Sequence, residues 1–121
     1  MQDLTLERVA SIHRKVLADT QADLRIVSEG NLHQLVFRAN LTDDPFSRAA
    51  TVFWSLCAYP AFREGNRRTA HRIAEGILVS GGYRAELPCG EIRALAQGIE
   101  AFTTEIEDVE KVMRRYAVAV S

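Results

Sequence analysis

The sequence predicts an all-α fold, six helices packed as a bundle, and three observations carry that prediction. Apolar residues recur every three or four positions along most of the chain, capping residues with glycine or proline fall between these stretches, and alternating strand patterns are nearly absent. With 121 residues, 47% of them hydrophobic and 26% charged, the chain suits one domain spanning 1–121 with a core of its own.

The elements follow in order. Behind a Thr5 cap, Val9, Ile12, Val16 and Leu17 line one face of a first helix that is expected to end near Asp19. Ser28 caps a second, with Leu32, Leu35 and Val36 inward and a stop before Asn40. Asp44 followed by Pro45 opens a third, whose stripe of Phe46, Ala49, Ala50, Phe53 and Cys57 must end at or before Pro60. The clearest helix runs from Asn66 to Val79, buries Ala70, Ile73, Ala74, Ile77 and Leu78, and stops at Gly81-Gly82. Ile92, Leu95, Ala96 and Ile99 repeat the pattern between Glu91 and Ala101. A capping box of Thr104 and Glu107 is expected to open the last helix through Ile106, Val109, Met113 and Tyr116. At most a short extended piece is expected near Asp23 to Val27 or Tyr83 to Leu87.

Composition narrows the function classes. A formal net charge of -1 supplies no overall attraction to nucleic acid or anionic membrane, so neither is an expected partner. Cys57 and Cys89 lack metal-site spacing, no charged-then-apolar leader precedes the first helical pattern, and the apolar runs are too short to cross a bilayer. The expected setting is the reduced cytoplasm. Cys57 reads as a small buried hydrophobe, Phe46, Phe53, Trp54 and Tyr116 as core, and His13 and His33 as exposed or structurally bonded residues without a chemical role.

Chemistry concentrates in YPAFREGNRRTAH, between the third and fourth helices. A helix start presents unpaired N–H groups and partial positive charge, so Gly65 and Asn66 stand where a phosphate could be cradled. Arg67 and Arg68 add cationic forks suited to phosphate oxygens, and Glu64 could hold a magnesium ion through one carboxylate. Phe62 would peg the turn to the core. Taken alone, the pattern also suits ordinary capping of a solvated helix start.

FREGNRRTA resembles the centre of the Fic/Doc signature, His-x-Phe-x-(Asp/Glu)-Gly-Asn-x-Arg. The similarity extends to SEGNLHQLVFRA before the DPF helix, to the helix ending in GGY, and to IRALAQGIEAFTTEIEDVEKVMRR, in the order of death-on-curing proteins. The resemblance implies a Fic/Doc-like bundle with the motif loop at a helix N-terminus. Phe62 then matches the motif phenylalanine, Glu64 the magnesium-binding acid, Gly65 and Asn66 the anion hole, and Arg68 the phosphate-binding arginine. Arg67 stands where AMP-transferring members have glycine and the death-on-curing toxin has lysine, and His71 takes the place of a second arginine.

For the death-on-curing branch the resemblance implies a toxin of a toxin–antitoxin system. Such a protein passes a phosphoryl group, rather than AMP, from a nucleoside triphosphate, ATP foremost, with Mg2+, to a protein hydroxyl. Its expected partners are a protein target and an antitoxin peptide or protein. Pro60 departs from the pattern, since it occupies the position of the general-base histidine and has no proton-accepting side chain. A neutral Tyr59 phenol is a poor substitute near neutral pH. A catalytically silent relative that binds nucleotide, anion or protein is therefore the alternative. A third expectation, DNA-linked regulation through the arginines, requires steeply salt-dependent binding.

Overall fold

The computed structural model describes residues 2–120 and contains six α-helices: α1 (Leu6–Val16), α2 (Glu29–Ala39), α3 (Pro45–Ala58), α4 (Asn66–Ser80), α5 (Cys89–Glu100) and α6 (Ile106–Tyr116). Three of the expected starts coincide with the caps read from the sequence, because the Thr5 hydroxyl, the Ser28 hydroxyl and the Asp44 carboxylate each accept an amide of the following first turn. α3 is the hub. Ala49, Ala50 and Val52 are wholly buried, and the helix packs against α2, α4, α5 and α6. Its opening proline and wide apolar surface fit a helix enclosed on several sides. α1 lies mainly on α4.

Two expectations are corrected. α1 stops at Val16 rather than near Asp19, because Leu17 turns inward, 5% exposed, and its carbonyl is taken by both the amide and the hydroxyl of Thr20. The box opening α6 is Glu105 with Asp108, one residue later than Thr104 with Glu107, and the Asp108 carboxylate accepts the Glu105 amide at 2.9 Å. Thr104 belongs instead to the turn that ends α5: its amide donates to Gly98 O and its carbonyl accepts from the Trp54 indole.

Both extended pieces form, each against a distant partner. β1 (Tyr83–Ala85) pairs antiparallel with β2 (Ala117–Ala119), Arg84 opposite Val118. The stretch before α2 lies along the motif loop, with an isolated bridge between Ile26 and Phe62. Val27 N–H donates to Ala61 O at 2.8 Å, and Arg63 N–H to Arg25 O at 2.9 Å. Among the described residues no helix is long and apolar enough to cross a membrane.

Candidate functional site

The loop from Pro60 to Gly65 is held from three sides. Below it, Phe62 is 2% exposed and lies flat on the His13 ring, centroids 3.7 Å apart and planes 8° from parallel. His13 Nε2 bonds Glu64 O at 2.8 Å, and since a carbonyl only accepts, Nε2 carries the hydrogen. Inside the loop, the Asn66 amide closes a ring: its Nδ2 donates to Phe62 O at 2.8 Å and its Oδ1 accepts from Phe62 N at 3.1 Å. The Asn66 side chain is therefore spent on shaping the turn, and what it offers a ligand is its backbone N–H. Gly65 closes the loop at φ 82, left-handed, and a Cβ there would lie 2.5 Å from Leu17 Cδ1. Backbone conformation and close packing both call for glycine.

This loop aims the start of α4 into an open cleft of about 500 Å³ lined by Cys57, Pro60, Arg63 to Arg68 and Glu100. The first backbone bond of the helix is Thr69 N–H to Gly65 O, and no side chain caps it. Among the described residues, the amides of Asn66, Arg67 and Arg68 consequently have no acceptor. Three free N–H groups at the positive end of a 15-residue helix form an anion-attracting corner.

Around this corner the charged side chains of Arg67, Arg68 and Glu64 are already engaged, whereas Arg63 on the same lining has no side-chain partner among the described residues. Arg67 grips Glu100 with a two-pronged pair, Nε and Nη2 at 2.6 and 2.7 Å from its oxygens. That hydrogen bond holds the Glu100 carboxyl below its usual range and raises the Arg67 guanidinium. Arg68 lines the cleft but leans toward α1, where its Nη2 donates to Val16 O at 3.1 Å. The Glu64 carboxylate lines the cleft and accepts the Asp23 amide through Oε2. Asp23 in turn has its own carboxylate held by Arg25 at 2.6 Å, which lowers its pKa to about 2. Burial pushes the Cys57 thiol up to about 12, with the Glu100 charge adding and Arg67 opposing, so it is no nucleophile here.

Phe62, Glu64, Gly65, Asn66, Arg67 and Arg68 are thus brought to one place. His71 is not: it lies on the flank of α4 outside the cleft lining, its Nδ1 3.8 Å from Glu75. Pro60 lines the cleft wall and supplies no proton acceptor. The described residues contain no cluster of three or more His, Cys, Asp or Glu side chains able to enclose a metal. Glu64 is nevertheless compatible with a magnesium ion that takes most of its oxygens from bound phosphates and water. His13 and Glu100 were missed as site residues in the sequence, because each meets the motif from a distant helix. No protein-family model matches the chain, and no curated protein matches it.

Proposed function

We propose that this protein is a death-on-curing-like member of the Fic/Doc group that holds the polyphosphate of a magnesium-bound nucleoside triphosphate at the start of α4. Phosphoryl transfer to a protein hydroxyl then proceeds slowly, for want of the motif histidine. The observation that carries this reading is the set of three unpartnered amides at Asn66, Arg67 and Arg68, facing a cleft with Arg68 on its wall. A phosphate there accepts the amides, while the Arg68 guanidinium keeps its Val16 bond through one nitrogen and offers the others. Arg67 joins only when phosphate oxygens replace those of Glu100. Glu64 would hold a magnesium ion, which would supply neutralisation of phosphate charge.

Phosphoryl transfer depends chiefly on positioning and charge stabilisation, to which the free amides at the start of α4 and the Arg68 guanidinium would contribute. Lack of a general base costs about 10²- to 10⁴-fold. An antitoxin and a cytoplasmic setting belong to this reading. The second reading, a silent nucleotide- or protein-binding relative, is favoured by Pro60 and by Glu100 being tied to Arg67.

Calorimetry with Mg-ATP, paired with radiolabelled transfer to candidate proteins, separates the two. The first reading expects binding lost in Arg68→Ala and weakened in Glu64→Ala, slow labelling by the wild type, and a rise of 100-fold or so in Pro60→His. Binding without labelling in either wild type or a folded Pro60→His variant would leave the silent relative. No binding of Mg-ATP at millimolar concentration would end the first reading and leave only the protein-binding form of the second.

A further inference from the structure

Next to the cleft the surface carries an aromatic pair, one member of which sits in an unfavourable backbone setting. α5 ends in a Schellman turn: Phe102 N–H donates to Ile99 O at 2.9 Å and Thr103 N–H to Gly98 O at 2.8 Å. Phe102 therefore sits at the position that glycine normally fills, with φ 58, and it is the single described non-glycine residue with positive φ. Its side chain gains little from the fold, being 60% exposed. A bulky aromatic residue in the left-handed region and facing solvent is uncommon, and local stability does not account for it.

The Phe102 ring is not loose. It meets Tyr59 at 6.2 Å between centroids and a 54° tilt, and Tyr59 stands edge-on to Trp54 at 5.8 Å. Trp54 is fixed by its indole N–H, which donates to Thr104 O at 2.7 Å. The outer two rings, with Tyr59 45% exposed, form a firm wedge open to solvent. Tyr59 immediately precedes Pro60, and Phe102 follows Glu100 by two residues; Pro60 and Glu100 are both walls of the phosphate cleft. At about 3.8 Å between successive Cα atoms, the backbones carrying the two rings lie within roughly 8 Å of those of the wall residues.

We propose that the Tyr59–Phe102 wedge is a stacking platform for the base of a nucleotide whose phosphates lie at the start of α4. The ligand class is then a nucleoside polyphosphate rather than inorganic polyphosphate. The inference rests on the phosphate reading above for one half of the ligand, and on the two rings for the other. Stacking on an aromatic face tolerates every base, so selection among bases is weak.

The test is calorimetric titration of the magnesium forms of ATP, CTP and inorganic tripolyphosphate into wild type, Phe102→Gly, Tyr59→Ala and Tyr59→Phe. Wild type is expected to bind ATP about tenfold more tightly than tripolyphosphate, with CTP close to ATP. Phe102→Gly is expected to raise the melting temperature, since glycine suits the turn, while it weakens ATP about tenfold and leaves tripolyphosphate unchanged. Tyr59→Ala should weaken ATP alone, and Tyr59→Phe should retain it. ATP and tripolyphosphate binding equally well, or ATP indifferent to both ring deletions, would overturn the platform and leave the wedge to a protein partner. Failure of all three ligands to bind wild type would instead overturn the phosphate reading, and the platform with it.

Discussion

The two ends of α1 use arginine in opposite ways. Beside its start, Arg48 is 1% exposed and binds backbone: Nη1 donates to Gln2 O at 2.8 Å and Nε to Thr42 O at 3.1 Å. Among the described residues its Nη2 has no hydrogen bond, and it sits 3.5 and 3.6 Å from Asp3 and Asp43, whose side chains are 72% and 96% exposed. Beyond its other end, Arg67 and Arg68 reach Glu100 and Val16 O across an open cleft. A buried guanidinium with fixed carbonyl partners is a structural tie, because removing it breaks set hydrogen bonds and empties the space its stem filled. An exposed guanidinium can exchange one oxygen partner for another at little net expense. Burial, more than residue type, separates the tie from the exchangeable hand.

Substitutions can sharpen this contrast. Arg48→Ala is expected to destabilise the fold by about 3 kcal/mol, since two charge-assisted hydrogen bonds and a buried stem disappear together. Urea unfolding measures it, and a loss under 1 kcal/mol would place Arg48 with the exchangeable arginines. Gly65→Ala should cost about 2 kcal/mol through left-handed strain and the approach to Leu17, accompanied by weaker phosphate binding. A variant as stable as wild type would show that the loop is softer than its hydrogen bonds imply.

Smaller effects are expected on the cleft side. Glu100→Gln removes the charge competing for Arg67, so tripolyphosphate should bind several-fold more tightly with little change in melting temperature. Unchanged or weaker binding would show that Arg67 takes no part. The same pair sets a pH dependence. A carboxyl held below its usual range contributes stability present above the unfolded value and lost as pH falls through the folded one, so the pair opens in the acid range, below 4.5. NMR titration should find Glu100 below 4.5 in wild type and higher in Arg67→Ala. Least of all, iodoacetamide at pH 8 should label exposed Cys89 and leave Cys57 untouched, as its thiol is pushed up to about 12.

The parts of this fold that could be read in advance are local. Thr5, Ser28 and Asp44 cap their helices because a short polar side chain before a periodic stretch has few better uses, while α4 starts behind a left-handed Gly65 with no capping side chain. What stayed hidden depends on partners far along the chain. β2 is only Ala-Val-Ala, with no strand signature until Tyr83 to Ala85 is laid beside it. Thr104 looks like a cap, yet the Schellman turn at Phe102 and the Trp54 indole claim it first. The Glu100 grip on Arg67 joins residues 33 positions apart, so no motif around Arg67 encodes it. His71 follows the motif in sequence, but its place on the flank of α4 takes it out of the cleft.

The imidazole wedged beneath the motif turn makes the first helix and the acidic corner a single mechanical part. Its ring is clamped flat against Phe62 and tethered to the Glu64 carbonyl, so it can neither swivel nor let go without breaking a partly buried bond. A load that slides the helix along its axis is delivered to that acid through one rigid lever. Its place is set by a segment 51 positions upstream in the chain.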